Sequence, residues 1–176
     1  MRLGSRGDAF QTLARSIVGQ QVSVKAAQSV WARVGLACPS LDPTALLATP
    51  VDSLRACGLS GRKVEYLHDL ARHFLARPGG LGGWSGMNDA AIVEELTAVR
   101  GIGVWTVQMF LIFNLARPDV LPLADLGLRR ALEAGHGGGH PLPPPVLERL
   151  SRLWQPWRTA ATWYLWRSLD PEPCVH

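Results

Sequence analysis

A chain of 176 residues, 47% of them hydrophobic, is long enough for one compact domain around a real core. Its apolar stretches are too short and interrupted to span a bilayer, and the opening MRLGSRGDAF lacks a secretory core, so a soluble cytoplasmic protein is expected. The formal charge of +4 fits a polyanionic partner without demanding one, and with Lys25 and Lys63 the only lysines, nearly all of the positive charge is guanidinium, the group that forks onto phosphate.

Asp8 stands before Phe10, Leu13, Ile17 and Val18, whose helical spacing predicts a first helix with Asp8 as its N-cap. Val24, Ala27, Trp31 and Val34 repeat the stripe behind Ser23, with Gly35 as the expected end. Short helices are predicted over Pro43–Ala48 and Val51–Ala56 and a longer one over Gly61–Leu75, before Pro78, Gly79, Gly80, Gly82 and Gly83 impose a loop. From Asn88 to Ala98 a helix presents Ile92, Val93, Leu96 and Val99 inward; Gly101-Ile102-Gly103 interrupts it, and another follows from Val104 to about Leu115. After Pro118 and Pro122 the chain restarts as a helix near Asp125, breaks between Gly135 and His140, and resumes around Pro144 and again around Pro156. No segment alternates with a period of two, so the fold class is all-α, built of roughly ten short helices.

Gly101 and Gly103 allow a sharp turn and leave amides uncovered beside the start of the following helix, an arrangement that can hold a phosphate. Alone, such a pair is equally an inter-helix turn. Asp125 is well placed to cap the helix that begins Leu126-Gly127-Leu128, and hydrogen bonds from first-turn amides would keep it ionised. Cys38, Cys57 and Cys174 are too few and too far apart for a disulfide framework. His136 and His140 have no third ligand in sight, so no metal site built from side chains is expected.

Gly101-Ile102-Gly103-Val104-Trp105-Thr106, followed by Leu121-Pro122-Leu123-Ala124-Asp125-Leu126-Gly127, resembles the helix-hairpin-helix DNA glycosylases, most closely the 3-methyladenine DNA glycosylase II branch. Ile17-Val18-Gly19-Gln20-Gln21-Val22-Ser23, Gly58-Leu59-Ser60-Gly61-Arg62-Lys63 and the segment from Pro156-Trp157-Arg158 to Trp166 match in the family's order, so the resemblance runs from about Asp8 to Asp170. It implies two helical lobes with a cleft between them, one of residues 20–117 and the other of residues 1–19 with 118–176, and Asp125 at the junction as the catalytic carboxylate. It also implies a base pocket of Trp105, Met109, Trp163 and Trp166. DNA contacts would come from the wedge pair Gln20 and Gln21, from Arg62 and Lys63, and from the hairpin residues Gly101, Ile102, Gly103 and Thr106. A sodium or potassium ion on the hairpin carbonyls of Val99 and Ile102 would bridge to phosphate.

Trp105 stands where lyase members of the superfamily carry their Schiff-base lysine, which implies a monofunctional hydrolase. Only Cys174 lies where iron–sulfur members place four cysteines, which implies no cluster. The chain departs from the branch in beginning almost at the first core helix, without an N-terminal sheet domain, in Arg100 replacing a proline, and in Met109 and Leu126 standing where aromatic residues are expected. The expected activity is excision of alkylated purines from double-stranded DNA by a monomer. The rival is a non-catalytic helix-hairpin-helix module that binds damaged DNA, which has no need of Asp125.

Overall fold

A computed structural model describes residues 7–77, 83, 84 and 86–169. Among them ten α-helices follow one another with no strand: α1 (Ala9–Gly19), α2 (Val24–Ala37), α3 (Pro43–Ala48), α4 (Val51–Ala56), α5 (Gly61–Ala76), α6 (Asp89–Thr97), α7 (Val104–Phe113), α8 (Leu126–His136), α9 (Pro144–Leu153) and α10 (Arg158–Arg167). The helices start where short polar side chains can take an orphan amide: Asp8, Ser23, Asp42, Ser60, Asn88 and Asp125 each accept the N–H three residues on. Gly35 does not end α2, which runs two residues further to Ala37, because this glycine keeps a helical backbone and only Cys38 leaves it. The predicted loop at Pro78, Gly79, Gly80 and Gly82 lies outside the described residues, as does Cys174, whereas Cys38 and Cys57 are buried free thiols.

The larger core gathers the apolar faces of α1 to α7. Edge-to-face contacts run through it from Phe10 to Phe74, Trp84 and Phe110 with centroids 5.3–5.4 Å apart, and the buried Trp84 also donates its indole N–H to Glu95 at 3.3 Å. Phe10, Leu13, Ile17 and Val18 place α1 in this core, against α2, α5 and α7, although the expected division put residues 1–19 with the C-terminal lobe. A smaller core joins Leu128 and Leu132 of α8 to Leu150 of α9, with Leu165 and Trp166 of α10 packed on it. Trp166 touches both cores and so marks their seam.

Polar clamps fix the connection from α7 to α8. Arg117 donates to the carbonyls of Trp84 and Met87, both at 2.8 Å, while Arg158 grips the Asp119 carboxylate with Nε at 2.6 Å and Nη2 at 2.9 Å. The buried Thr159 hydroxyl takes the Val120 amide at 2.9 Å and donates to the Arg117 carbonyl at 2.7 Å. The segment that delivers Asp125 is therefore anchored from Arg117 to Val120 before α8 begins.

Candidate active site

Asp125 occupies the N-cap of α8, where an aspartate gains the Leu128 amide at 2.7 Å on Oδ1. Two tryptophans complete its shell: Trp166 Nε1 donates to the same oxygen at 2.8 Å, and Trp105 Nε1 donates to Oδ2 at 3.0 Å. Trp166 comes from α10 and Trp105 from α7, so the carboxylate is the point where three elements meet at the seam of the two cores. Partial burial pushes its pKa up, but the Leu128 amide, the Trp166 and Trp105 indoles and the Gly127 amide outweigh it, leaving Asp125 below the ordinary carboxylate value. The site thus presents a fixed negative charge beside the exposed face of Trp105, which is 45% accessible.

Gly127 keeps this close approach uncrowded. A β-carbon there would sit 3.2 Å from Asp125 Oδ1 and 3.3 Å from the Trp166 ring, inside the space the indole uses to reach the carboxylate. Phe113, which the sequence did not mark, backs the same indole: the two rings stack with centroids 5.9 Å apart and planes 14° from parallel. Trp105, Met109 and Phe113 recur every fourth residue along one face of α7; of these, Trp105 meets Trp166 at the Asp125 carboxylate and Phe113 stacks on it. Trp163 departs from the group: its ring contacts are an edge-on Tyr164 at 5.2 Å and the Arg167 guanidinium at 5.8 Å.

Because the depressed pKa of Asp125 depends on its donors, Trp166→Phe should raise it. With the folded pKa lowered, the stabilisation from the ionised form is complete above the unfolded pKa and is lost as pH falls through the folded one. In Trp166→Phe that stabilisation is smaller and its loss is complete at a higher pH, because the unfolded pKa at which it starts is unchanged. Carboxyl carbon NMR across a pH titration reads this directly, and an Asp125 midpoint at or above a free carboxylate in the parent, or no upward move in the variant, would contradict the assignment.

A second group of expected residues converges about the hairpin. Gln20, Gln21, Arg62, Lys63 and Gly101 line one cavity of about 500 Å³ together with Ser60 and Tyr66. Gln20 Nε2 donates to the Gly101 carbonyl at 2.7 Å, tying the loop after α1 to the hairpin, and the exposed Gln21 is held in the left-handed region at φ 58°. Lys63, expected on phosphate, instead spends its ammonium on the carbonyls of Val18 and Gln20, each at 2.7 Å, at the end of α1; burial lowers its pKa. Arg62 remains exposed.

Gly101 adopts φ +87°, and a β-carbon on it would lie 2.3 Å from the Tyr66 ring, so the hairpin closes only over a bare backbone. Gly103 is the N-cap of α7 and offers no side chain to it, which leaves the first-turn amides of a ten-residue helix for an external anion. Ile102 points into the core, and Thr106, expected at the DNA face, is also buried: Val104 and Trp105 turn outward at the start of α7 and the next residue turns in. The Val99 carbonyl accepts the Ile102 amide at 3.1 Å.

Residues 14–156 match the family described as HhH-GPD superfamily base excision DNA repair protein. DNA-3-methyladenine glycosylase 1 of Schizosaccharomyces pombe is 34% identical over 90% of this chain and 72% of its own length. The crystal structure of a Bacillus halodurans DNA-3-methyladenine glycosidase superposes with a TM-score of 0.90 at 34% identity, covering 97% of this chain and 80% of that one. A Schizosaccharomyces pombe 3-methyladenine DNA glycosylase in complex with abasic DNA gives 0.79 at 28% identity, covering 99% and 88%. With the matched segment taking in the Gln20–Gln21 loop, the hairpin and Asp125, the chain belongs to the HhH-GPD superfamily of base excision DNA repair proteins.

Proposed function

We propose that the protein is a monofunctional DNA glycosylase of the 3-methyladenine DNA glycosylase II type, hydrolysing the N-glycosidic bond of alkylated purines in double-stranded DNA. The observation that carries this reading is the ionised Asp125 clamped by two indole N–H groups at the seam of the cores with an exposed aromatic face beside it. A module that only binds DNA has no use for a carboxylate held in that way, and the names of the most similar relatives favour the enzyme.

In the reaction the C1′–N bond breaks with its electron pair leaving on the base, and the sugar takes up positive charge. A fixed carboxylate lying in a partly desolvated site stabilises that charge without reorganising. Water then bonds to C1′ and gives up a proton, for which Asp125 is the available acceptor. An N3- or N7-alkylated purine is already cationic, so it leaves neutral, and the electron-rich faces of Trp105 and Trp166 favour it by cation–π attraction. Gln21 would fill the gap left by the flipped nucleotide, while the free amides at the start of α7 would hold a backbone phosphate.

The hairpin carbonyls of Val99 and Ile102 are neutral oxygen donors suited to a sodium or potassium ion, and the single bond accepted by Val99 leaves it a lone pair. Such an ion would add positive charge beside that phosphate. The site contains Trp105 in place of an amine, and the nearby Lys63 is committed to two carbonyls, so no Schiff base forms. Incubation with a duplex containing one 7-methylguanine should release the free base and leave an uncut strand that alkali cleaves. Borohydride should trap no protein–DNA adduct. A trapped adduct, or strand cleavage without alkali, would overturn the monofunctional reading; binding without base release would return the chain to the rival class.

A further inference from the structure

Lys63 lies in the first turn of α5, a turn that carries no acidic residue. A cation at a helix N-terminus opposes the helix dipole, so α5 gains nothing from its charge. The end of α1 does gain: Val18 lies in its last turn, Gln20 is its C-cap, and α1 has no basic residue of its own there. Carbonyls at a helix end lack an intrahelical amide, and Lys63 Nζ donates to those of Val18 and Gln20, each at 2.7 Å. The Gln20 carbonyl belongs to the peptide plane from which Gln21 departs, and Gln21 turns into the left-handed region at φ 58°. A residue other than glycine keeps that conformation only where its surroundings over-determine it. Here they act from two sides, with Lys63 on the Gln20 carbonyl and the Gln20 side chain on the Gly101 carbonyl at 2.7 Å. The Gln21 side chain is left exposed along the cavity that it lines with Lys63, Tyr66 and Gly101.

We propose that Lys63 is a positioning residue: by gripping the end of α1 it keeps Gln21 in its left-handed conformation, so that the side chain filling the gap beside a flipped nucleotide is in place before DNA arrives. The inference rests on the gap-filling role given to Gln21 above and names what makes that role effective. A loop free to relax out of the left-handed region must be ordered again when the duplex opens, and that cost is subtracted from the extruded state. Unpairing and unstacking the base already cost free energy, so the burden falls on the flipping step. Cleavage of the glycosidic bond is separate from it. Asp125 and its indole donors belong to α7, α10 and the start of α8, whereas the Lys63 ammonium is bonded at the end of α1.

Single-turnover release of 7-methylguanine should be compared in two duplexes, one with the lesion paired to cytosine and one with it facing an abasic-site analogue, where no base pair has to break. Lys63→Met is expected to slow release from the paired duplex about tenfold, the ordering cost of one or two side chains, and release from the unpaired duplex by less than about twofold. Lys63→Arg keeps the charge and the donors and should restore the parent ratio of the two rates. Gln21→Ala removes the gap-filling group and should show the same selective loss. Lys63→Gln leaves a neutral N–H donor at the end of α1 and makes the same comparison if Lys63→Met does not fold. Equal losses on the two duplexes would make Lys63 a stabilising cap of α1 alone and overturn the proposal, as would a marked loss in Gln21→Ala beside none in Lys63→Met. A Gln21→Ala protein at the parent rate on both duplexes removes the gap-filling role, and the proposal with it. A parent protein that releases no 7-methylguanine from either duplex refutes the glycosylase reading itself.

Discussion

Asp125→Asn is expected to slow single-turnover excision of 7-methylguanine by ~10²–10³, the range found when one preorganised transition-state group is lost. The change keeps the shape and an acceptor for the Leu128 amide but removes the negative charge that faces the sugar, and it turns one carboxylate oxygen into an NH2 donor opposed to an indole N–H. On the proposed function the ground-state contacts with DNA lie elsewhere, at the hairpin and the Gln20–Gln21 loop, so affinity for an abasic-site duplex should persist. Excision at the parent rate by Asp125→Asn would remove the carboxylate from the mechanism. Lost binding together with lost activity would indicate instead that the seam had come apart.

Gly101→Ala should be the most damaging small substitution in the hairpin. Two costs coincide there: a backbone at φ +87° that L side chains rarely adopt, and a β-carbon placed 2.3 Å from the Tyr66 ring. Together they should lower the unfolding free energy by about 2–4 kcal/mol, read as a shift in denaturant midpoint. Tyr66→Ala in the same chain would relieve the steric part and leave the backbone part, so the double variant should be less destabilised than the sum of the two single variants and more than Tyr66→Ala alone. Gly103→Ala, whose β-carbon would meet nothing within 4 Å, should leave stability nearly unaffected while its methyl crowds the α7 amides, weakening binding to all duplexes alike. A Gly101→Ala protein as stable as the parent would show that the hairpin has another way to close.

Features governed by neighbours in sequence were readable in advance. Asp8, Ser23 and Asp125 stand directly before apolar periodic runs, and each caps the helix it precedes. Gly35 misled because a glycine ends a helix only where the backbone turns left-handed, and nothing local distinguishes it from a glycine that simply continues. Helical phase told that Trp105 and Met109 share a face, but the inward turn of Thr106 depends on which face of α7 meets α1.

The remaining features of the site are encounters between distant residues. Phe113 reaches Trp166 across 53 positions of chain, Gln20 reaches Gly101 across 81, and Lys63 returns to Val18 across 45. A lysine beside an arginine looks like a phosphate contact until the fold brings two carbonyls to it. Motif order located Asp125, and its Leu128 amide bond is local, yet the double indole clamp that adds to that bond in lowering its pKa comes from α7 and α10 together and has no trace in the sequence around position 125.

The central claim is that a fixed negative charge at Asp125 drives departure of bases that are already good leaving groups. Single-turnover release of 7-methylguanine, 3-methyladenine, uracil and 8-oxoguanine from matched duplexes tests it most directly. Both methylated purines should leave faster than uracil and 8-oxoguanine, because stacking on Trp105 and Trp166 supplies only about 0.5–2 kcal/mol of preference and the lability of the cationic lesion supplies the rest. Faster release of uracil or 8-oxoguanine than of both methylated purines would contradict the account.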